Sequence, residues 1–297
     1  MNETQVREGV AEVPGARLRY RLAGTAGAPL LVFENGWGAS FEMWAWVEQE
    51  LAPHAQLLLY NRAGIGRSER LLPQTVAGLS EQFAALPAAL GLAGPVIAVG
   101  QSYGGLMCGL HAAQRPEALR AVVEVDPTPD VTDPDIDGPA GKLPAVIRVL
   151  QVWLRLGLPN FLFGQVSKAL PKESAHRLLR TSLSNPDSLE AGLAELAMRF
   201  DIRARIAAGR RGDLPRLLIG AGALPPLKRV VERLLVRPAL AKASFERSKA
   251  LQHARAAQDP DCRLLMLPHS HGGLVFERDG AQATAGAVLD LLRALPG

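Results

Sequence analysis

Cysteine is nearly missing from this chain: 297 residues contain two, Cys108 and Cys262. They stand far apart in apolar surroundings, so two buried free thiols in a reducing compartment are expected rather than a disulfide. Long uncharged apolar runs are missing as well. The most membrane-like segment, "LPAVIRVLQVWLRLGLPNFLF" at 143–163, carries Arg148, Arg155 and prolines, and is not expected to span a bilayer. The opening "MNETQVREGV" has no apolar run of the kind a secretion signal requires. Arginine forms no basic block and the net charge is only +4, so nucleic-acid binding has no footprint. Internal repeats and low-complexity tracts are absent. What is present is 48% hydrophobic and 21% charged residues, the balance of a globular protein with a sizeable core. A soluble cytoplasmic protein is expected, as one large domain or a domain with an insertion.

Short apolar runs recur between Gly, Pro and polar residues: "LLVF" 30–33, "LLLY" 57–60, "PVIAV" 95–99, "AVVEV" 121–125, "PRLLIG" 215–220 and "RLLML" 263–267. Each is too short for a helix and rich in Val, Ile and Leu. Such runs read as strands buried on both faces of a parallel sheet. Segments with helical spacing lie between them, at 77–90, 104–114, 227–236 and 281–294. A hairpin is predicted ahead of them in "VAEVPGARLRYRLAG". The alternation predicts a doubly wound α/β fold with a mostly parallel, eight-stranded sheet and helices on both faces.

Residues 129–212 break the alternation. They open on the turn-rich, acidic "PDVTDPDIDGPAGK", and helical patterns follow near 143–156, 160–169, 173–182 and 187–208. An all-helical insert between two strands suggests a cap over the C-terminal edge of the sheet, where open α/β sheets bind ligands. The core is then 1–128 with 213–297. The segment 143–163 is apolar almost all round, so it must bury more than one face. Trp153 within it is a candidate substrate contact.

"PVIAVGQSYGGL" places Gly100-Gln101-Ser102-Tyr103-Gly104 after a buried strand and before a helical segment. This is G-x-S-x-G in the strand–turn–helix context that gives the motif its meaning. Small residues let the strand and helix approach while the serine is pushed into a strained, exposed conformation. Ser102 is therefore a candidate nucleophile.

From these residues outward the chain resembles the α/β-hydrolase superfamily, in its compact serine-hydrolase form with a helical cap. "FENGWGASFEMW" is similar to that family's His-Gly-x-Gly loop, with Asn35 in place of the histidine and Gly36, Trp37 and Gly38 retained. "YNRAGIGRSE" is similar to its Asp-Arg-x-Gly-x-Gly-x-Ser turn, with Asn61 in place of the aspartate and Arg62, Gly64, Gly66 and Ser68 retained. The resemblance implies an oxyanion hole formed by the backbone N–H groups of Trp37 and Tyr103. Both side chains are also candidate walls of the substrate pocket.

The resemblance further implies the chain order Ser, acid, His. The family's usual acid follows the strand after the cap, here "PRLLIG", yet no carboxylate appears there until Glu232. The strand before offers Asp126, at the end of "AVVEVDPTPD", as the acid. Asp130, Asp133 and Glu124 are weaker alternatives. The base belongs after the last strand, where "PHSHGG" holds His269 and His271. "SHGGLVFERDG" fits the family's pattern with His271 as the base and His269 beside it. A zinc pair is the rival reading, but the chain has no Cys pair, no His-Glu-x-x-His and no second His cluster.

The resulting expectation is a hydrolase with a Ser102–His271–Asp126 triad. It would cleave an ester, thioester or lactone of a small, hydrophobic substrate, with no metal and no cofactor. A cofactor-free lyase or a ligand-binding receptor on the same fold are the alternatives, since fold and triad do not separate them. Neither stable membrane insertion nor nucleic-acid binding is expected, and a homo-oligomer is compatible with the sequence.

Overall fold

A computed structural model describes residues 6–133, 169–183, 185–209, 213–224 and 238–296. The strands are β1 (Arg7–Val13), β2 (Ala16–Gly24), β3 (Leu30–Glu34), β4 (Gln56–Tyr60), β5 (Glu69–Arg70), β6 (Val96–Gln101), β7 (Leu119–Val125), β8 (Arg216–Ala221) and β9 (Cys262–Leu267). The helices are α1 (Ala45–Leu51), α2 (Val76–Ala89), α3 (Tyr103–Gln114), α4 (Lys172–Leu178), α5 (Pro186–Ala208), α6 (Pro238–Gln258), α7 (Gly273–Phe276) and α8 (Arg278–Ala294).

Every apolar run read as a strand is one. The sheet runs β1-β2-β4-β3-β6-β7-β8-β9, with β5 pairing β2. The β1–β2 hairpin and the β2–β4 pairing are antiparallel; every pairing from β4 to β9 is parallel. Eight strands therefore form the continuous path, as expected. The ninth is the two-residue β5, whose exposed Glu69 and Arg70 carry no apolar signal.

The central strands are buried on both faces, and alternate residues divide the core in two. Leu31, Phe33, Leu57, Leu59, Ile97 and Val99 face Trp44, Leu51, Leu274 and Val288 on the side of α1, α7 and α8. Val32, Leu58, Ala98 and Val122 face Phe83, Leu86, Cys108 and Ala112 on the side of α2 and α3. Both cysteines are free thiols.

Strand order reverses at β3, which has β4 on one side and β6 on the other. Connections leave β3 and β6 in opposite directions, and this opens a crevice at their C-terminal ends. The loop at Asn35–Gly38 and the turn at Ser102 flank that crevice. Asp126 follows the neighbouring β7.

Between β7 and β8 the described residues contain helix but no strand. Helix α5 starts at Asn185, whose Oδ1 accepts from Asp187 N at 2.9 Å, with Pro186 in the first turn. Its Ile202 and Ile206 pack with Leu106, Met107 and Leu110 of α3. The helices expected at 173–182 and 187–208 are thus present, the first ending in a five-residue π turn at Leu179–Leu183. Those expected at 143–156 and 227–236, nearly all of the one at 160–169, and Trp153 lie outside the described residues. Helix α6 was not expected from the sequence. Its alanines and charges, "PALAKASFERSKALQHARAAQ", make no clear apolar stripe.

Candidate active site

Ser102 joins β6 to α3 with φ 56° and ψ −118°, a left-handed conformation rare for a residue with a side chain. Neighbours hold it there. Ser102 N donates to Val125 O at 3.0 Å, and its carbonyl accepts from Thr128 N at 2.9 Å. Helix α3 lies so close to β3 that a Cβ at Gly104 would sit 2.1 Å from Glu34 O. The strain predicted for this turn is therefore real, and tertiary contacts maintain it.

Asp126 also has a positive φ, 41°, with its N–H donating to Ile219 O at 2.6 Å. Its Oδ2 lies 2.6 Å from His271 Nδ1. Its Oδ1 accepts from Ala221 N at 3.1 Å and from Gln252 Nε2 at 2.8 Å. Burial pushes this carboxyl's pKa up. The hydrogen bond and charge of His271, then Gln252 and the Ala221 N–H, outweigh burial and hold it below the usual aspartate value.

The two histidines diverge. His271 reaches Asp126, whereas His269 turns toward Asp279, with Nδ1 3.9 Å from its carboxylate. His269, Glu277 and Asp279 hold one ligand atom each within 4.8 Å of one another. Both carboxylates are exposed at the start of α8, where the helix dipole favours anions and opposes a cation. The alternative acids are occupied elsewhere. Both oxygens of buried Glu124 accept from Arg255 Nη2, at 3.0 and 2.8 Å. Asp130 lies 3.6 Å from Arg255, and Asp133 2.7 Å from Arg247.

Two glutamines that sequence reasoning missed touch this group. Gln252 reaches Asp126 from α6. Gln101, one residue before Ser102, places Nε2 3.1 Å from His271 Nε2 and 3.3 Å from the His271 carbonyl. With Nδ1–H given to Asp126, the Nε2 lone pair accepts from this amide. No hydrogen bond joins Ser102 Oγ to a described residue. Neither glutamine carries a local signal; each is identified only by what folding brings beside it.

The two asparagines that depart from the motif patterns use both ends of their amides. Asn35 Nδ2 donates to Tyr60 O at 2.7 Å and Oδ1 accepts from Trp44 Nε1 at 3.0 Å. Asn61 Oδ1 accepts from Phe41 N at 2.7 Å and Nδ2 donates to Gly66 O at 2.9 Å. A carboxylate at position 61 could not make the second bond.

Between them lies Arg62, fully buried. It grips Glu195 of α5 with Nε and Nη2 at 2.6 and 3.0 Å, and meets Glu34 at 3.1 Å. It also donates to the carbonyls of Asn35 and Gly36, at 2.8 and 3.2 Å. The N–H groups of Trp37 and Tyr103 donate to no described residue. The Trp37 indole donates to Gly192 O, and the Tyr103 hydroxyl to Glu195 O at 3.0 Å. The Tyr103 ring is buried under α5 and Arg62, rather than open to a pocket as the sequence reading expected. Trp37 keeps partial exposure. A cavity of about 290 Å³ adjoins Asp126 and His271, walled by Pro127, Pro129, Leu224, Phe245 and Lys249.

A family model for the alpha/beta hydrolase fold matches residues 29–222. Over 107 residues the chain is 34% identical to a pimeloyl-[acyl-carrier protein] methyl ester esterase of Yersinia pseudotuberculosis, covering 35% of this chain and 39% of that protein. Over 204 residues it is 28% identical to a probable transporter, efuK, of Hormonema carpetanum, covering 64% of this chain and 28% of that protein. The chain thus spans well under half the length of either relative. A solved hydrolase from Pseudomonas aeruginosa superposes with a TM-score of 0.67 at 26% identity, covering 97% of this chain and 98% of that one. An enol-lactonase from Burkholderia xenovorans superposes with a TM-score of 0.65 at 21% identity, covering 96% and 100%, and shares the fold. No helix among the described residues is long and apolar enough to cross a membrane.

Proposed function

The chain belongs to the α/β-hydrolase family, and from that premise we propose a serine hydrolase that cleaves a carboxylic ester, thioester or lactone through an acyl-enzyme on Ser102. The observation that carries the reading is the 2.6 Å approach of His271 Nδ1 to Asp126 Oδ2, beside a serine in a strained turn. Asp126 fixes the imidazole tautomer, so Nε2 is left as the proton acceptor. Ser102 Oγ attacks the carbonyl carbon while Nε2 takes its proton. The oxyanion forms against the two free N–H groups of Trp37 and Tyr103. Each such donor contributes about 2.7–4 kcal/mol to the transition state in enzymes of this kind. The imidazolium then protonates the leaving oxygen or sulfur. Water, deprotonated by the same nitrogen, releases the acid and restores Ser102.

For this cycle Nε2 must exchange Gln101 for Ser102. Hydrogen bonds of this kind often tighten only when substrate is bound. Helices α4 and α5 serve in this reading as part of a cap, with α5 tied to the core through Glu195–Arg62 and Trp37–Gly192. The esterase and enol-lactonase relatives support ester hydrolysis as the reaction class. The mostly apolar cavity beside His271 suits a hydrophobic substrate.

A fluorescent phosphonate tests the reading. Intact protein should be labelled at one serine, and Ser102→Ala should not be labelled. Equal labelling of that variant sinks the nucleophile. Turnover of short and long acyl esters then separates a hydrolase from a receptor, which would bind them without turnover.

A further inference from the structure

We propose that Gln252 is a positioning residue that holds Asp126 for His271, in space left for it by Gly220. The functional consequence rests on the serine-hydrolase reading; the geometry does not.

Asp126 ends a strand, and its carboxylate has two oxygens that must be told apart. Gln252 Nε2 at 2.8 Å and Ala221 N at 3.1 Å both donate to Oδ1, which leaves Oδ2 for His271 at 2.6 Å. The backbone donor is fixed by β8. The amide is the one side-chain donor on Oδ1 among the described residues.

Gln252 gains little else from its place. It is only 5% exposed, and its Oε1 is buried with no hydrogen-bond partner among the described residues. A buried carbonyl without a donor is destabilising, so packing alone would favour an apolar side chain of the same length. Turning the amide over would set Oε1 against Asp126 Oδ1, oxygen on oxygen. The orientation is therefore fixed with its unfavourable end inward.

Gly220 agrees. It lies inside the fully buried β8, where glycine weakens a strand. A Cβ there would meet Gln252 Oε1 and Met266 Sδ, each at 2.4 Å. The missing side chain makes room for this amide. One helical turn on, Arg255 grips Glu124, two residues before Asp126 in β7. A helix spacing of three meets a strand spacing of two on one face, so the ion pair sets the register and the amide uses it. Among the described residues, the charged or titratable groups near these two contacts include His271 on Asp126, Lys249 of the same helix, which lines the cavity beside it, and, around Arg255 and Glu124, Asp130 at 3.6 Å and Arg216 at 4.0 Å.

Gln252→Met and Gln252→Glu test the assignment, with thermal stability, the low-field proton resonance between His271 and Asp126, and phosphonate labelling against pH. The Met variant should melt close to the wild-type temperature, because removing the orphan carbonyl offsets the lost hydrogen bond to Asp126. Its low-field proton should broaden or vanish, and labelling should fall about tenfold or more, the worth of a hydrogen bond to a charged group. The Glu variant should label well only at pH low enough for the new carboxyl to stay protonated and donate to Asp126. As pH rises it should lose activity through a limb the wild type lacks. A Met variant that keeps both the resonance and the labelling rate overturns the proposal. So does a Glu variant whose pH profile follows the wild type. If wild type takes no label at all, the hydrolase reading falls, while the resonance still decides whether Gln252 positions Asp126.

Discussion

Gln101 Nε2 sits 3.1 Å from His271 Nε2, so the lone pair that would take a proton from Ser102 already accepts one hydrogen bond. The amide also holds the His271 carbonyl at 3.3 Å. A group that occupies the base must be displaced before the base can act. Replacing it by Gln101→Leu removes that competition. Phosphonate labelling is expected to rise about two- to tenfold, the range set by one ordinary hydrogen bond of about 0.5–1.5 kcal/mol. Slower labelling would mean that the amide anchors the loop rather than competes with the serine.

Asp126 and Asp130 lie four residues apart, and only Asp126 touches a histidine. Asp126→Asn should lower the labelling rate about 10⁴-fold, because an amide can present a donor to Nδ1 and trap the wrong tautomer. Asp130 lies 3.6 Å from Arg255, and that arginine keeps Glu124 when Asp130 is neutralised. Asp130→Asn should therefore cost about threefold or less, as for other loose ion pairs. The reverse ranking would assign the acid to Asp130.

What was legible in the sequence was local. Ser102 could be read because its strain is built by adjacent residues: a buried strand, flanking glycines and a helix. The parallel strands could be read because burial leaves short apolar runs, interrupted at most by a single charged residue such as Glu124 in β7. Asp126 and His271 are 145 residues apart, and Gln252 is 126 from Asp126. The first pair was reachable because the family pattern places a base after the last strand. The glutamine was not, since an amide on a helix of alanines and charges looks like any solvated side chain. Tyr103 shows the converse. A residue after the serine can lend its N–H to the crevice while α5 and Arg62 bury its ring, and the motif says nothing of the ring. Strand β5 escaped because two charged residues carry no pattern.

Arg62 and Glu195 join the core to α5 through buried side chains, only 2% and 3% exposed. Glu195→Ala leaves a buried guanidinium with one carboxylate fewer, which should cost about 3–5 kcal/mol of unfolding free energy. Arg205 and Asp201 of the same helix form an i,i+4 pair at 3.1 Å, with both side chains more than two-fifths exposed. Asp201→Ala should change stability by about 0.5 kcal/mol or less. Urea denaturation of both variants checks the contrast. Equal small effects would mean that the buried pair does not hold α5 to the core.

Glu34 makes the acid side of the stability profile testable. Burial pushes its carboxyl up, but the hydrogen bond from His111, the charge of Arg62 and the Tyr60 hydroxyl together hold it below the usual glutamate value. A carboxylate with a depressed folded pKa contributes its full stability above its unfolded pKa, about 4.3 for glutamate, and loses it as pH falls through the folded value. Glu34→Gln should therefore be less stable than wild type at pH 7. The gap should hold down to about pH 5 and narrow below about pH 4, as wild-type Glu34 takes up its proton. Urea midpoints of the two proteins at pH 7, 5, 4 and 3 measure the gap directly. A gap that stays constant to pH 3 would mean that the ionised carboxylate is not what the buried cluster stabilises, and that the loss at pH 7 comes from altered packing around Tyr60 and His111.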